Sequence, residues 1–276
     1  MINRKDISIY IIVVFVITYV LNLYLYLQGG LMSTASLVVL MVQMLIPGLV
    51  AVFMIIRGKE RLKDYGLTFG GLRYYLLALL LIIGYQLLFV LVAAAFGLGN
   101  LVSLTEGFSL FAPGANLPLW QIILIIFILA PLQNLLFGLG EEFGWRGYLS
   151  GKLLPGGLFK TIIIVGIVWG LWHAPVILMG HNFPEHPLPG VFIMSLSCIP
   201  LGAVLLWLRL KSGSAIVAGF AHGALNATVF FGGAFIPTAP MIWSNPIGLL
   251  GFPLLVILAY CLFRFFPVPG SISGGE

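Results

Sequence analysis

Long apolar stretches alternate with short polar breaks over most of the chain. The runs near 7–27, 36–56, 74–96, 117–139, 161–179, 191–208, 215–231 and 246–265 each have about the length of a helix that crosses ~30 Å of hydrocarbon. Turn signals punctuate them: Gly29 and Gly30, Gly70 and Gly71, Pro155 with Gly156 and Gly157, and Gly232 and Gly233. The pattern predicts an all-α membrane protein, a polytopic bundle of about eight transmembrane helices. One transmembrane domain is expected over 1–266, with a short flexible cytosolic tail over 267–276. The first run is too long for the apolar region of a signal peptide and no small-residue cleavage site follows it, so it reads as a retained span.

The placement of charge tests this count. All 13 Lys and Arg fall in alternate breaks or at the two ends of the chain. Arg4 and Lys5 precede the first run, and Arg57, Lys59, Arg61, Lys63 and Arg73 separate the second from the third. Arg146, Lys152 and Lys160 follow the fourth, Arg209 and Lys211 follow the sixth, and Arg264 closes the eighth. The positive-inside rule then puts both termini in the cytosol. With no organelle or retention signal, a prokaryotic cell membrane is the expected location. The net charge of +5 is spread between spans rather than gathered into a patch, which argues against a nucleic-acid partner. Cys198 and Cys261 both lie in apolar runs without CxxC spacing, so neither a disulfide framework nor a redox motif is indicated.

In a chain that is 61% hydrophobic and only 8% charged, ionisable groups at membrane depth read as functional. The fourth helix carries Glu141, Glu142 and Arg146 in GLGEEFGWRGYLS. The fifth carries His173 in VWGLWHAP, and the seventh carries His222 and Asn226 in GFAHGALNA. Glu142 and Arg146, and likewise His222 and Asn226, are four apart and share a helix face. The fourth helix is expected to continue to about Leu153, where Pro155 and Gly156 stop it. Glu141 is then ~18 Å from its cytosolic end, His173 ~20 Å from Lys160, and His222 and Asn226 ~14 and ~20 Å from Gly213. Three helices thus bring polar groups to similar depth, which implies one polar pocket, expected to open toward the cytosolic half of the membrane.

Such a pocket suits hydrolysis. A carboxylate with a His can hold and deprotonate water, and a second His with an Asn can donate to the oxyanion of a tetrahedral intermediate. An ion pair between Arg146 and Glu142 leaves Glu141 freer to act as base. A Glu with two His also matches zinc chemistry. No HExxH is present, and spacing does not choose between the two.

At these residues the chain resembles the CPBP family (CAAX protease and bacteriocin-processing, also called Abi) of intramembrane endopeptidases. The family's EExxxR motif matches Glu141, Glu142 and Arg146. Its FxxxH motif matches at His173, with Trp169 in place of Phe, and its HxxxN motif matches His222 and Asn226. The resemblance covers roughly 117–231. It implies an eight-helix bundle in which Glu141 and His173 activate water and His222 and Asn226 form the oxyanion site. Glu142, Arg146 and Trp169 are then structural or tuning residues. It also implies a substrate that is a peptide or membrane-anchored protein, cleaved near the cytosolic face; a prenylated CAAX substrate follows only by analogy. Two chemistries remain open: a glutamate-type protease, or a zinc enzyme with Glu141, His173 and His222 as ligands.

Blander readings stand beside these. Glu142–Arg146 serves equally as a structural pair, His173 as a cap on a carbonyl freed by Pro175, and His222 with Asn226 as interhelical glue. Trp145, Trp169 and Trp172 read as pocket walls, Trp120 and Trp243 as interfacial anchors. His181 and His186 read as part of a solvated turn, and Gln133 and Asn134 as pocket lining or interhelical bonds. A catalytically silent scaffold or bacteriocin self-immunity protein is the main functional alternative. A proton-coupled transporter ranks below it, because neither inverted repeats nor paired broken helices are evident.

Overall fold

The computed structural model describes residues 4–115, 117–228 and 235–268. The predicted turn at Gly232 and Gly233, the end of the 215–231 run and most of the 267–276 tail lie outside them. Besides two short 3-10 helices (Gly30–Met32 and Leu62–Tyr65), eleven helices occur among the described residues: α1 Arg4–Leu27, α2 Ser36–Arg57, α3 Leu72–Ala95, α4 Leu104–Phe111, α5 Leu119–Gly156, α6 Leu158–Trp172, α7 Ala174–Leu178, α8 Pro187–Ser212, α9 Ala215–Thr228, α10 Met241–Ser244 and α11 Gly251–Phe265. Five (α1, α2, α3, α5 and α8) are long and apolar enough to cross a membrane, and α6, α9 and α11 are shorter apolar helices. The protein is an all-α integral membrane protein, with one small exception. Strands β1 (Gly99–Leu101) and β2 (Phe235–Pro237) pair antiparallel and join two loops that the apolar pattern left unassigned.

The segment predicted at 117–139 continues as a single helical stretch of 38 residues, far longer than ~30 Å of hydrocarbon requires. Two π-helical stretches interrupt it, Ile125–Leu129 and Phe143–Leu149. The first lies just before Pro131, which has no N–H to close an α-turn. The second begins immediately after Glu142. The segment predicted at 161–179 instead breaks between α6 and α7. Pro175 cannot donate to the carbonyl of Leu171, which accepts the Tyr19 hydroxyl instead (2.8 Å). The last run starts late, at Gly251, because Asn245 and Gly248 form a turn ahead of it.

Helices α5 and α9 cross at very close range. A Cβ at Gly138 would strike the Gly219 carbonyl oxygen and lie 2.9 Å from the Gly223 nitrogen; one at Gly219 would lie 2.7 Å from Leu139 Cα. Small residues let membrane helices approach backbone to backbone, where dispersion contacts replace the missing hydrophobic drive. This crossing holds the polar face of α9 against the acidic turn of α5.

The loop from Gly58 to Gly71 is fastened to two other elements at the same end of the bundle. The Ala215 N–H donates to the Gly66 carbonyl (2.7 Å), and Thr68 Oγ1 donates to the Gly213 carbonyl (2.9 Å). Lys152 at the end of α5 bonds both oxygens of Glu60 (2.6 and 2.9 Å). This is the end at which the Lys and Arg residues of these loops collect.

Candidate active site

Glu141 and Glu142 close the central α-helical part of α5 and are buried, at 2% and 0% exposure. Arg146 follows within the π-helical stretch and is equally buried. Its Nη1 donates to Glu142 Oε1 (2.8 Å), so the pair expected from the four-residue spacing is present. The same oxygen accepts from His222 Nδ1 on α9 (2.9 Å). His222 therefore leans on Glu142, not on Glu141. Two donors on one carboxylate oxygen offset the cost of burying it, since an unpaired charge in this setting is strongly unfavourable.

Glu141 has a different partner. Trp169 Nε1 on α6 donates to Glu141 Oε2 (2.7 Å). The face of the same indole lies under the Arg146 guanidinium, 3.9 Å from Cζ to the ring centroid, and its edge meets the His222 ring at 5.5 Å. One turn later His173 Nδ1 sits 2.8 Å from the Trp169 carbonyl. A carbonyl only accepts, so the proton is on Nδ1 and Nε2 carries the lone pair. The Trp169 carbonyl is open to this contact because the His173 amide bonds Gly170 instead, in the tightened last turn of α6. The expected cap on the carbonyl freed by Pro175 is not formed, because that carbonyl, Leu171's, accepts from Tyr19, and the bond to Trp169 instead fixes the orientation of the His173 ring.

The three helices bring Glu141, Glu142, Arg146, Trp169, His173 and His222 into one connected cluster. Asn226 lies one turn beyond His222, half-buried. Sequence reasoning treated Trp169 as wall or packing. Its role as a donor appears only once α6 is seen against α5, although the Trp standing in a Phe position was a visible signal. Gln133 and Asn134 are not part of the cluster: Gln133 is exposed, and Asn134 bonds the Ala130 carbonyl of its own helix (2.9 Å).

Burial departs from the expected opening toward the cytosolic end. Every residue from Phe143 to Ser150 is buried, and Tyr65 packs against Tyr148 (5.3 Å between rings) beneath them. The basic end under the site is filled. The half-buried members, His173 and Asn226, lie on the opposite side of Glu141. Helix rise measures depth but not which side chains fill the space, and here Phe143, Trp145, Tyr148 and Leu149 fill it.

The zinc alternative can be tested on the donors themselves. Among the described residues no three His, Cys, Asp or Glu side chains gather as a metal-binding set. Glu142 Oε1 is shared by Arg146 and His222, while Glu141 Oε2 and His173 Nδ1 are held within the cluster. As placed, these side chains do not gather as a three-ligand zinc site. Both cysteines are free thiols.

Residues 116–228 match the family described as "Type II CAAX prenyl endopeptidase Rce1-like", a segment that contains all three motifs. The chain is also 28% identical over 227 residues to a protein of Methanococcus maripaludis named CAAX prenyl protease 2, covering 76% of this chain and 78% of that one. The resemblance read from the motifs is borne out by both.

Proposed function

We propose that this chain, a protease by its likeness to the type II CAAX prenyl endopeptidases, hydrolyses a peptide bond inside the membrane with Glu141 and His173 as water-activating groups. The observation that carries the reading is the division of labour between the two glutamates. Glu142 is bound by Arg146 and His222. Glu141 has one oxygen fixed by Trp169 and the other left to take a proton. His173 adds an oriented lone pair at Nε2.

In this reading the water oxygen attacks the scissile carbonyl carbon as its proton passes to Glu141. The oxyanion receives hydrogen bonds from His222 and the Asn226 amide. Donation from His222 Nε2 requires a doubly protonated ring, with Nδ1–H held on Glu142. The C–N bond then breaks, and the proton on Glu141 passes to the leaving amine. A peptide with a prenylated C-terminal cysteine motif is the substrate class taken from the relative's name. We place eight spans in the membrane with both termini cytosolic, a topology supported by the alternation of basic loops. The substrate is read as approaching from the side of His173 and Asn226, since the basic end is packed.

The test is cleavage of a quenched fluorescent farnesylated CAAX peptide by the purified protein. The wild type is expected to cleave it, and Glu141→Gln and His173→Ala to lower kcat by roughly 10³-fold or more with little change in melting temperature. Unimpaired cleavage by both variants overturns the reading. Absence of cleavage by the wild type, with a cellular effect that survives both substitutions, supports a silent scaffold instead. Activity that persists after complete metal removal would exclude the zinc route.

A further inference from the structure

We infer that Trp169 is a positioning residue that sets the geometry of Glu141 through its indole N–H, and that this contact limits the chemical step. The inference rests on the protease reading above. It starts from the fact that one residue contacts Glu141, Arg146, His173 and His222. The indole N–H donates to Glu141 Oε2 at 2.7 Å, a distance typical of a charge-assisted bond. Its face carries the Arg146 guanidinium at 3.9 Å, and its edge meets His222. Its own carbonyl receives His173 Nδ1. The side chain is 1% exposed, so packing fixes the donor in place.

The consequence is a division between the two oxygens of Glu141. An indole nitrogen can only donate, so Oε2 is committed to a fixed bond and Oε1 is the oxygen presented to water. Without that bond the carboxylate can rotate about its terminal torsion, which has broad and shallow preferences. It can also turn toward Arg146, already paired with Glu142 in the same turn. A phenyl ring at 169 would keep the stacking surface and the main-chain acceptor for His173 but would remove the donor. The Trp in place of the motif's Phe is therefore a chemical change at the reacting carboxylate, beyond a change in size. Small misplacements of a catalytic group cost rate rather than ground-state binding.

Two variants separate this role from packing. Trp169→Phe removes the donor and part of the ring. Replacement of Trp169 by 3-benzothienylalanine puts sulfur where the N–H was and keeps the shape. With the farnesylated CAAX peptide as probe, both are expected to lower kcat about tenfold or more and to leave KM within about twofold. The benzothienyl protein should keep the wild-type melting temperature. If the benzothienyl protein retains wild-type kcat while Glu141→Gln is inactive, the positioning role is wrong and the protease reading stands. If Glu141→Gln is itself fully active, the protease reading has failed instead. A rise in KM at unchanged kcat assigns Trp169 to substrate binding and also overturns the inference.

Discussion

Two carboxylate–cation–aromatic groups each take their cation from the same long helix α5, and they differ mainly in what surrounds them. At the site, Glu142 pairs with Arg146 at 2.8 Å, with side chains 0% and 1% exposed, and Arg146 lies on the Trp169 ring. At the basic end, Glu60 pairs with Lys152 at 2.6 Å, with side chains 37% and 15% exposed, and Lys152 sits 5.4 Å from the Tyr65 ring. Tyr65 donates to Glu60 much as Trp169 donates to Glu141. The residue chemistry is nearly the same, but water competes at the basic end and not at the site. The outer group serves as a fastening that can be lost cheaply, while the inner one must be kept whole because each partner left alone is a buried charge.

The sharpest way to break this contrast is to remove one inner partner. Arg146→Ala should destabilise the protein by about 3–5 kcal/mol, seen as a large fall in melting temperature in detergent. The double variant Glu142→Leu with Arg146→Met should recover much of that loss while remaining inactive, because His222 also loses its anchor. Equal losses for the single and double variants would show that packing dominates and charge does not.

A smaller effect is expected where the site is assembled rather than charged. Gly138→Ala places a methyl group against Gly219 and Gly223 of α9 and should cost about 1–3 kcal/mol. It should also reduce peptide cleavage, since it displaces the helix that carries His222 and Asn226. Undiminished cleavage would mean that the close crossing does not set the site.

The smallest effect belongs to the outer group. Lys152→Ala should cost at most about 1 kcal/mol and less in high salt. Partial burial acts to raise the Glu60 carboxyl, but hydrogen bonds from Lys152 and Tyr65, with the charge of Lys152, outweigh it and hold the group below its ordinary value. A depressed carboxyl contributes stability above its unfolded value and loses it as pH falls through the folded one. The difference between wild type and Lys152→Ala should therefore be full at neutral pH and vanish in acid, below the ordinary carboxylate range. A difference unchanged by acid would remove the ion pair as its cause.

The hydrophobic pattern located eight apolar segments without long-range information, because a membrane helix satisfies its backbone locally. It missed where those segments bend or lengthen. The π-helical stretch at Phe143–Leu149 and the break at His173 depend on local backbone adjustments that apolar periodicity does not encode. The short pair of strands was likewise invisible, since it joins loops far apart in the chain.

What the sequence alone determined was the membrane class, the alternation of basic loops and the set of residues that can carry chemistry. The i,i+4 rule even assigned Arg146 to Glu142, because both lie on one helix. Contacts between helices were decided only by the tertiary structure. It gave His222 to Glu142, Trp169 to Glu141 and the His173 ring to the Trp169 carbonyl, and it filled the basic end with buried aromatics. Spacing along a helix fixes angle and height about one axis, while a partner on another helix depends on how two surfaces approach. For His222 that approach is set by the glycines at the α5–α9 crossing.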